Sequence, residues 1–330
     1  MENNLETWKK LYETTKIWST KKPWLSLESN DWIQIEFDDM ESIYCTIMGS
    51  LGECIGLSIY QGDAGLADLI SISREYDDID LSTYMMFDQN CITLYMGNRD
   101  EVPKHQKNII KQLGLRYRGN GNWPYFLSFK KGFMPFDIDD NQAALLIKVM
   151  EKLLEIVPYY QKGKIDVEFE ENEMIYAHIE NNQWQYEAIC IPDIDKFVAV
   201  IPENEQLMNK LKATSYNDNE LIIDINYAAG FVTDPDYSQP INPLLVIVFD
   251  KKSEMIVFQE MLKPDDDEIQ LALDFLVSYI LQYGRPRTIY FKNPIVWCAL
   301  SELCIQCKIA LKISKLPLVD EYFETIRNIL

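Results

Sequence analysis

The order of apolar and helical patterns after residue 243 constrains the fold more than any other feature of this chain. Two strand-like runs, Leu244–Phe249 and Met255–Met261, are separated by a polar turn, which favours a hairpin. Helical and strand-like patterns then alternate: a helix to about Tyr283, a strand Thr288–Phe291, a helix Ile295–Gln306, a strand Ile309–Ile313 and a helix Leu318–Leu330. This β-β-α-β-α-β-α order predicts an α/β domain whose sheet contains parallel pairs covered by helices.

Residues 1–162 predict a different arrangement, with helices around a mainly antiparallel sheet. Helical spacing of apolar residues covers Leu5–Ser19 and Asp139–Val157, and the strand-like runs Ile43–Met48 and Ile55–Tyr60 flank a glycine-containing turn. A chain of 330 residues exceeds a typical single domain. We therefore predict an α+β protein of two domains, 1–162 and 163–330. The second combines an acidic, β-rich region at 163–235 with the α/β part at 236–330.

Charge is distributed unevenly along the chain. The formal net charge is −21, from 52 acidic and 31 basic side chains. Residues 165–274 are strongly acidic, whereas residues 102–136 contain Lys and Arg but no Asp or Glu. A large acidic excess opposes nonspecific attraction to nucleic acid or to anionic membranes. The segment 102–136, called the basic block below, is where an anion would meet positive charge.

Five residues of the basic block are candidates for contacting a ligand or another domain: Arg116, Arg118, Trp123, Lys130 and Lys131. Arg116 and Arg118 alternate along an extended segment, so their side chains share one side. Basic residues beside aromatic ones can bind single-stranded nucleic acid, or equally an acidic protein surface. Because segment 165–274 supplies such a surface, we expect intramolecular docking first and a partner protein second. Nucleic acid is the least favoured.

Motifs of catalysis and cofactor binding are weak throughout the chain. Cys304 and Cys307 form a Cys-x-x-Cys pair, but at a predicted helix end, and no second pair or histidine completes a zinc site. The glycines between residues 49 and 56 lead into a strand, not into the helix that a phosphate-binding loop requires. We predict no catalytic residue, no metal and no cofactor.

Composition predicts a cytoplasmic location. The seven cysteines are odd in number and scattered, which fits reduced thiols better than a disulfide framework. The longest clean apolar run, Leu244–Phe249, is far shorter than the ~20 residues that span a bilayer. The first residues lack a signal-peptide pattern. We therefore expect no membrane association.

The N-terminal part resembles a bacterial domain family of unknown function. The matching segments are Trp8 to Tyr12 with Pro23-Trp24, Gly56–Leu66, Leu115–Gly119, and Trp123–Phe126 with Ser128. In that family an Arg is expected where this chain has Leu127, and a Pro-Gly where it has Lys131-Gly132. The family often carries a second domain of unknown function, which the C-terminal part resembles. The resemblance implies a two-domain protein and names no reaction.

Residues 244–330 are also similar to part of a ribonuclease-H-like fold. Such folds begin with a strand ending in Asp, followed by a hairpin and alternating helices and strands, and Asp250 takes that first position. The two-metal chemistry that this resemblance implies needs several converging carboxylates. The strand expected to bring a second acid ends instead in Lys292-Asn293. The helix-borne candidates are Glu302, Asp320 and Glu321.

These observations favour a non-enzymatic binding or accessory protein. The alternative is a degenerate or active metal-dependent nuclease or phosphoryl-transfer domain centred on Asp250.

Overall fold

The structure, a computed structural model, describes residues 4–74, 76 and 78–329. The helices are α1 (Leu5–Lys21), α2 (Gly62–Ser73), α3 (Ile79–Phe87), α4 (Lys104–Gln112), α5 (Asp140–Gln161), α6 (Glu205–Ala213), α7 (Glu268–Tyr283), α8 (Pro294–Cys307) and α9 (Pro317–Ile329). The strands are β1 (Ile33–Ile35), β2 (Ile43–Met48), β3 (Gly56–Gln61), β4 (Cys91–Gly97), β5 (Trp123–Phe129), β6 (Phe136–Asp137), β7 (Glu173–Glu180), β8 (Gln183–Cys190), β9 (Glu220–Tyr227), β10 (Leu244–Asp250), β11 (Ile256–Leu262), β12 (Thr288–Phe291) and β13 (Ala310–Ile313).

The chain forms two compact units that do not follow its order. The first comprises the described parts of residues 1–74, 89–130 and 135–194. The second comprises those of residues 75–88, 131–134 and 195–330. Helix α3 therefore belongs to the second unit, although the strands before and after it in the chain belong to the first. The predicted α+β class is confirmed.

The first unit is built on an eight-stranded sheet of order β6-β5-β4-β3-β2-β1-β7-β8. Its neighbouring strands pair antiparallel, except β1 and β7, which run parallel. Helices α1 and α5 supply Trp8, Leu11, Trp18 and Met150 to a core shared with sheet residues such as Phe126. Burying such large side chains is the main driving force for docking these helices.

The second unit is built on a five-stranded sheet of order β11-β10-β9-β12-β13. Strands β9, β10 and β11 pair antiparallel, and β9, β12 and β13 run parallel. Helix α9 packs on one face of this sheet, where Val319 and Phe323 meet Ile222, Ile247 and Phe249. Within β9, residue 224 lies on the same face as Ile222, because side chains alternate along a strand. This face holds the cluster described below.

The structure places three segments differently from the sequence-based expectations. Strand β9 is central and is the first strand of its sheet, so β10 is the second strand and not the first. Hairpin β7–β8 joins the first sheet through β1, although the expected boundary at residue 162 separates the two. Helix α3 had no counterpart in the sequence analysis. Pairing partners and sheet membership depend on distant residues, which the local pattern of a strand does not contain.

The described helices include none that combines the length and the apolar content needed to cross a membrane.

Candidate functional site

The structure separates the five candidate residues of the basic block. Arg116 and Arg118 lie exposed in the segment after α4, Trp123 begins β5, and Lys130 is exposed just after β5. These four belong to the first unit, whereas Lys131 belongs to the second. Within the described residues, neither Arg116 nor Arg118 has a carboxylate within ion-pair distance. Their charges are available to a ligand.

Arg116 lines an open cleft of about 580 Å³ between α1 and residues 114–124. Lys16 of α1 is a second exposed cation in this cleft. Tyr117, which lies between Arg116 and Arg118 in the chain, also lines the cleft. Glu13 also lines it and pairs at 4.0 Å with Lys9. The cleft thus combines cationic groups with the edge of the apolar core.

Tyr12 lines the same cleft and is 1% exposed. Its hydroxyl has no hydrogen-bond partner among the described residues. Burial, reinforced by nearby Tyr117, raises the pKa of this hydroxyl, so the group stays neutral. A buried donor without a partner is uncommon and costs free energy, which a ligand oxygen would recover.

The aromatic residues of the basic block are part of the core rather than free surfaces. Trp123, Tyr117 and Tyr125 are half-buried and pack against the main core of the first unit. The Trp123 ring lies 5.7 Å from the Tyr117 ring, and the Arg99 guanidinium lies 5.9 Å from the centre of the Trp123 ring. Rings engaged in such contacts offer little open face for stacking a base.

Lys131 forms ion pairs with two buried carboxylates of the second unit. Its ammonium lies 2.6 Å from Glu268 and 3.4 Å from Asp88, whose carboxylates are almost fully buried. Lys196 also pairs with Asp88, at 2.9 Å, and the Tyr227 hydroxyl donates to the same carboxylate at 3.1 Å. Burial alone would raise the pKa of Asp88, but the two ammonium groups outweigh it and lower the pKa. Lys131 thus neutralises buried acids within the second unit.

Asp250, the centre of the alternative hypothesis, lies in a hairpin turn. It ends β10, and its Oδ1 accepts hydrogen bonds from the Ser253 backbone N–H at 2.8 Å and the Ser253 hydroxyl at 2.7 Å. These bonds hold the pKa of Asp250 below its usual value. This is the geometry of a turn-stabilising aspartate. Asp320 of α9, one of its expected companions, instead lies beside Lys292.

Lys292 is the buried centre of a charge cluster that the sequence analysis did not recognise. It follows β12 directly, and its side chain is 8% exposed. Its ammonium lies 2.5 Å from Asp320, 3.1 Å from Asp80 and 3.2 Å from Asp78. Arg327 of α9 also pairs with Asp80. Burial alone would raise the pKa of Asp80, but Arg327 and Lys292 outweigh it and lower the pKa.

Asp224 of β9 lies near enough to this cluster for the charges of Lys292 and Asp80 to act on it. It is 0% exposed, its Oδ1 accepts the backbone N–H of Asn293 at 3.0 Å, and its Oδ2 has no partner among the described residues. Burial raises the pKa of Asp224 to about 7. Asn293 also donates from its side chain to the Ile225 carbonyl at 2.7 Å, which fixes the end of β12 against β9. The only sequence signal was Lys292-Asn293 at the position where a second acid was expected.

The described residues contain no group of three or more His, Cys, Asp or Glu side chains arranged to hold a metal ion. Cys304 and Cys307 are both buried, and burial raises the pKa of each thiol. A buried thiol with a raised pKa is unreactive, because the thiolate is the nucleophile and the metal ligand.

Comparisons with known proteins give families for both parts of the chain. A family model described as Domain of unknown function (DUF7309) matches residues 8–177, and one described as Domain of unknown function (DUF6930) matches residues 207–327. No curated protein matches.

Among solved structures, a chain of the "CryoEM structure of simian T-cell lymphotropic virus intasome in complex with PP2A regulatory subunit B56 gamma" matches with 16% identity and a TM-score of 0.24. The match covers 38% of this chain and 40% of that chain. A likeness at this level establishes neither fold nor function. The predicted combination of two domains of unknown function is confirmed: the chain belongs to the DUF7309 family, with a DUF6930 domain in its C-terminal part.

Proposed function

We propose that the protein is a non-enzymatic binding module whose first unit holds an acidic segment of a partner protein in the cleft beside Arg116. One observation carries this proposal. In a chain of net charge −21, Lys16 and Arg116 line one cleft, with Arg118 two residues along, and none of the three has an ion pair among the described residues. Guanidinium groups bind carboxylates through paired, charge-assisted hydrogen bonds.

The cleft suits a peptide better than a nucleic acid. Its volume of about 580 Å³ accommodates a few side chains. Single-stranded nucleic acid binds through aromatic faces, whereas Tyr117 and Trp123 are packed into the core margin. The large negative charge of the protein also repels a long polyanion, while a short acidic segment meets only the local cations.

Lys292 supports the non-enzymatic part of the proposal. The antiparallel strands β9–β11, followed by alternating helices and strands, support a ribonuclease-H-like fold in which β9 is the first strand. Asp224 then takes the place that the sequence analysis gave to Asp250. Metal-dependent phosphoryl transfer would need cations among these carboxylates. The residues present do not fit that chemistry, since the Lys292 ammonium lies where a cation would.

The test is binding of a fluorescein-labelled oligoglutamate peptide to the full-length protein, followed by fluorescence anisotropy. We expect Arg116→Glu/Arg118→Glu to weaken binding at least about tenfold, which is about 1.4 kcal/mol. The control Lys210→Glu/Lys212→Glu makes the same charge change on exposed residues of α6. Binding to the wild type should also weaken as salt is added.

Three results would count against the proposal. The wild type could fail to bind the peptide. The two double variants could also weaken binding equally, which would show that the net charge of the protein, and not the cleft, governs binding. Tighter binding of a labelled oligothymidylate than of the peptide would assign the cleft to nucleic acid instead.

A further inference from the structure

We infer that Lys292 supplies, from within the chain, the cation that a cluster of carboxylates needs, and that removing its amine lets Mg²⁺ or Mn²⁺ take its place. The inference concerns the second unit and is independent of the cleft in the first.

The backbone of the sheet brings the charged groups together. Strands β9 and β12 are parallel neighbours, with Tyr290 paired to Ile222. Lys292 and Asp224 each lie two residues beyond this pair, so they are neighbours across the two strands. The backbone N–H of Asn293 bonds to Asp224 and fixes this relation. Since β12 has ended there, Lys292 leaves the sheet at its carboxyl edge.

Helices α9 and α3 bring the remaining acids to the same point. Asp320 lies in the first turn of α9, Asp80 in the first turn of α3, and Asp78 is the N-cap of α3. Helix α3 is held on β9 by the Asn226 side chain, which donates to the Asp80 carbonyl at 3.2 Å, and by contact between the Tyr84 and Tyr227 rings. Three carboxylates thus converge on one ammonium from two separate helices.

The charges of this cluster do not balance. Three carboxylates (Asp78, Asp80 and Asp320) face two cations, Lys292 and Arg327, and Asp224, with a pKa raised to about 7, is a fourth acid that is only partly ionised at neutral pH. The Asp224 Oδ2 is buried without a partner, so one oxygen with ligand capacity is unused. Lys292 is the cation that Asp78, Asp80 and Asp320 share, and without its ammonium the buried Asp80 would keep Arg327 alone as a partner.

A hard divalent cation has the coordination chemistry that this arrangement offers. Mg²⁺ and Ca²⁺ prefer carboxylate oxygens, at roughly 2.0–2.6 Å. The oxygens of Asp80 and Asp320 already lie 3.1 Å and 2.5 Å from one cationic centre, so small side-chain shifts would bring them to a metal. In the native chain the ammonium occupies that centre and excludes a second cation by sterics and charge.

The experiment compares full-length wild type with Lys292→Ala, each measured in chelator and then in Mn²⁺ or Mg²⁺ at constant ionic strength. We expect Lys292→Ala to unfold at a lower temperature in chelator and to be stabilised when Mn²⁺ is added. By calorimetry it should bind Mn²⁺ at least about tenfold more tightly than the wild type does, which is about 1.4 kcal/mol.

Two further variants separate the cluster from a general effect of removing a lysine. Lys263→Ala is the matched control, because Lys263 pairs with Asp234 at 3.0 Å and Asp236 at 3.4 Å but is half-exposed. We expect it to gain no Mn²⁺ binding. Lys292→Ala/Asp320→Asn should lose the Mn²⁺ binding that Lys292→Ala acquires, because one of the carboxylates has become neutral.

The outcomes decide the inference even if Lys292→Ala is unfolded in chelator. Recovery of its helical circular dichroism on adding Mn²⁺ would support a metal site, since metal binding to the folded state drives folding. No recovery, or Mn²⁺ affinity equal to that of the wild type or Lys263→Ala, would overturn it.

Discussion

At the residue scale, Gln106 shows how the basic block is held in place. This side chain is 0% exposed, and its amide nitrogen donates to the Phe126 carbonyl at 2.6 Å and to Asp137 at 2.7 Å. Its amide oxygen accepts the Phe126 N–H at 3.0 Å. Strand β6 pairs with Leu127 and Ser128 of β5 but not with Phe126. The Gln106 side chain therefore makes the backbone hydrogen bonds to Phe126 that a neighbouring strand would otherwise make. Helix α4 is thereby fixed to β5.

We predict that Gln106→Leu lowers the free energy of unfolding by about 2 kcal/mol, because the Phe126 N–H and C=O are left buried without partners. Urea denaturation measures this. The control Gln112→Leu changes an exposed residue at the end of the same helix and should have little effect. Equal stability of the two variants would show that the Gln106 bonds contribute nothing net.

Lys292 shows, at the same scale, that the type of a residue does not reveal whether its side chain is buried. The sequence shows that a lysine stands where an acid was expected, and this disfavours the metal-dependent alternative. It did not show that the lysine is buried. A lysine is normally exposed, and only its neighbours Asp78, Asp80 and Asp320 make this one an internal counter-ion.

At the element scale, the start of α5 was predictable from local chemistry. Asp139 accepts the Gln142 N–H at 2.8 Å, and the Gln142 side chain accepts the Asp139 N–H at 3.0 Å, forming a capping box. Asp139 is thus the N-cap residue of α5. Such caps involve residues three apart in the chain, which is why sequence alone reveals them.

Asp139→Ala should lower the stability of the protein by about 1 kcal/mol, since the first-turn N–H groups of α5 lose their acceptor. The change appears as a lower midpoint of thermal unfolding. Asp166→Ala, at an exposed loop position, provides the comparison. A shift of the same size in both variants would mean that the cap is not what stabilises α5.

Helix α3 was missed at this scale for a physical reason. Its sequence, IDLSTYMMF, is short and has apolar residues on several sides rather than in one stripe. Periodicity indicates a helix only when one face is polar. Tertiary contacts, including those of Tyr84 and Phe87 with Tyr227, stabilise this helix instead.

At the scale of the whole molecule, the second unit takes essential residues from far upstream in the chain. Residues 75–88 supply Asp80 to Lys292 and Arg327, and Asp88 to Lys131 and Lys196. A fragment cut between the units would therefore leave buried cations without their acids.

We predict that a fragment of residues 195–330 lacks a cooperative unfolding transition under conditions in which the full-length protein is folded. Joining residues 75–88 and 131–134 to its N-terminus through flexible linkers should restore the transition, while the same segments in scrambled order should not. Calorimetry distinguishes these outcomes. A cooperative transition in the bare fragment at the temperature of the full chain would contradict the role assigned to α3.

The sequence by itself determined the secondary structure of most elements, the α+β class and the family. Helical spacing, strand alternation, turns and caps are interactions among near neighbours, and those patterns are local. The tertiary structure alone decided which sheet receives β7 and β8, that β9 is the first strand of the second sheet, and that Asp80 meets Lys292 across 212 residues. Buried charges need partners, and the partner of a given charge is set by packing rather than by its distance along the chain.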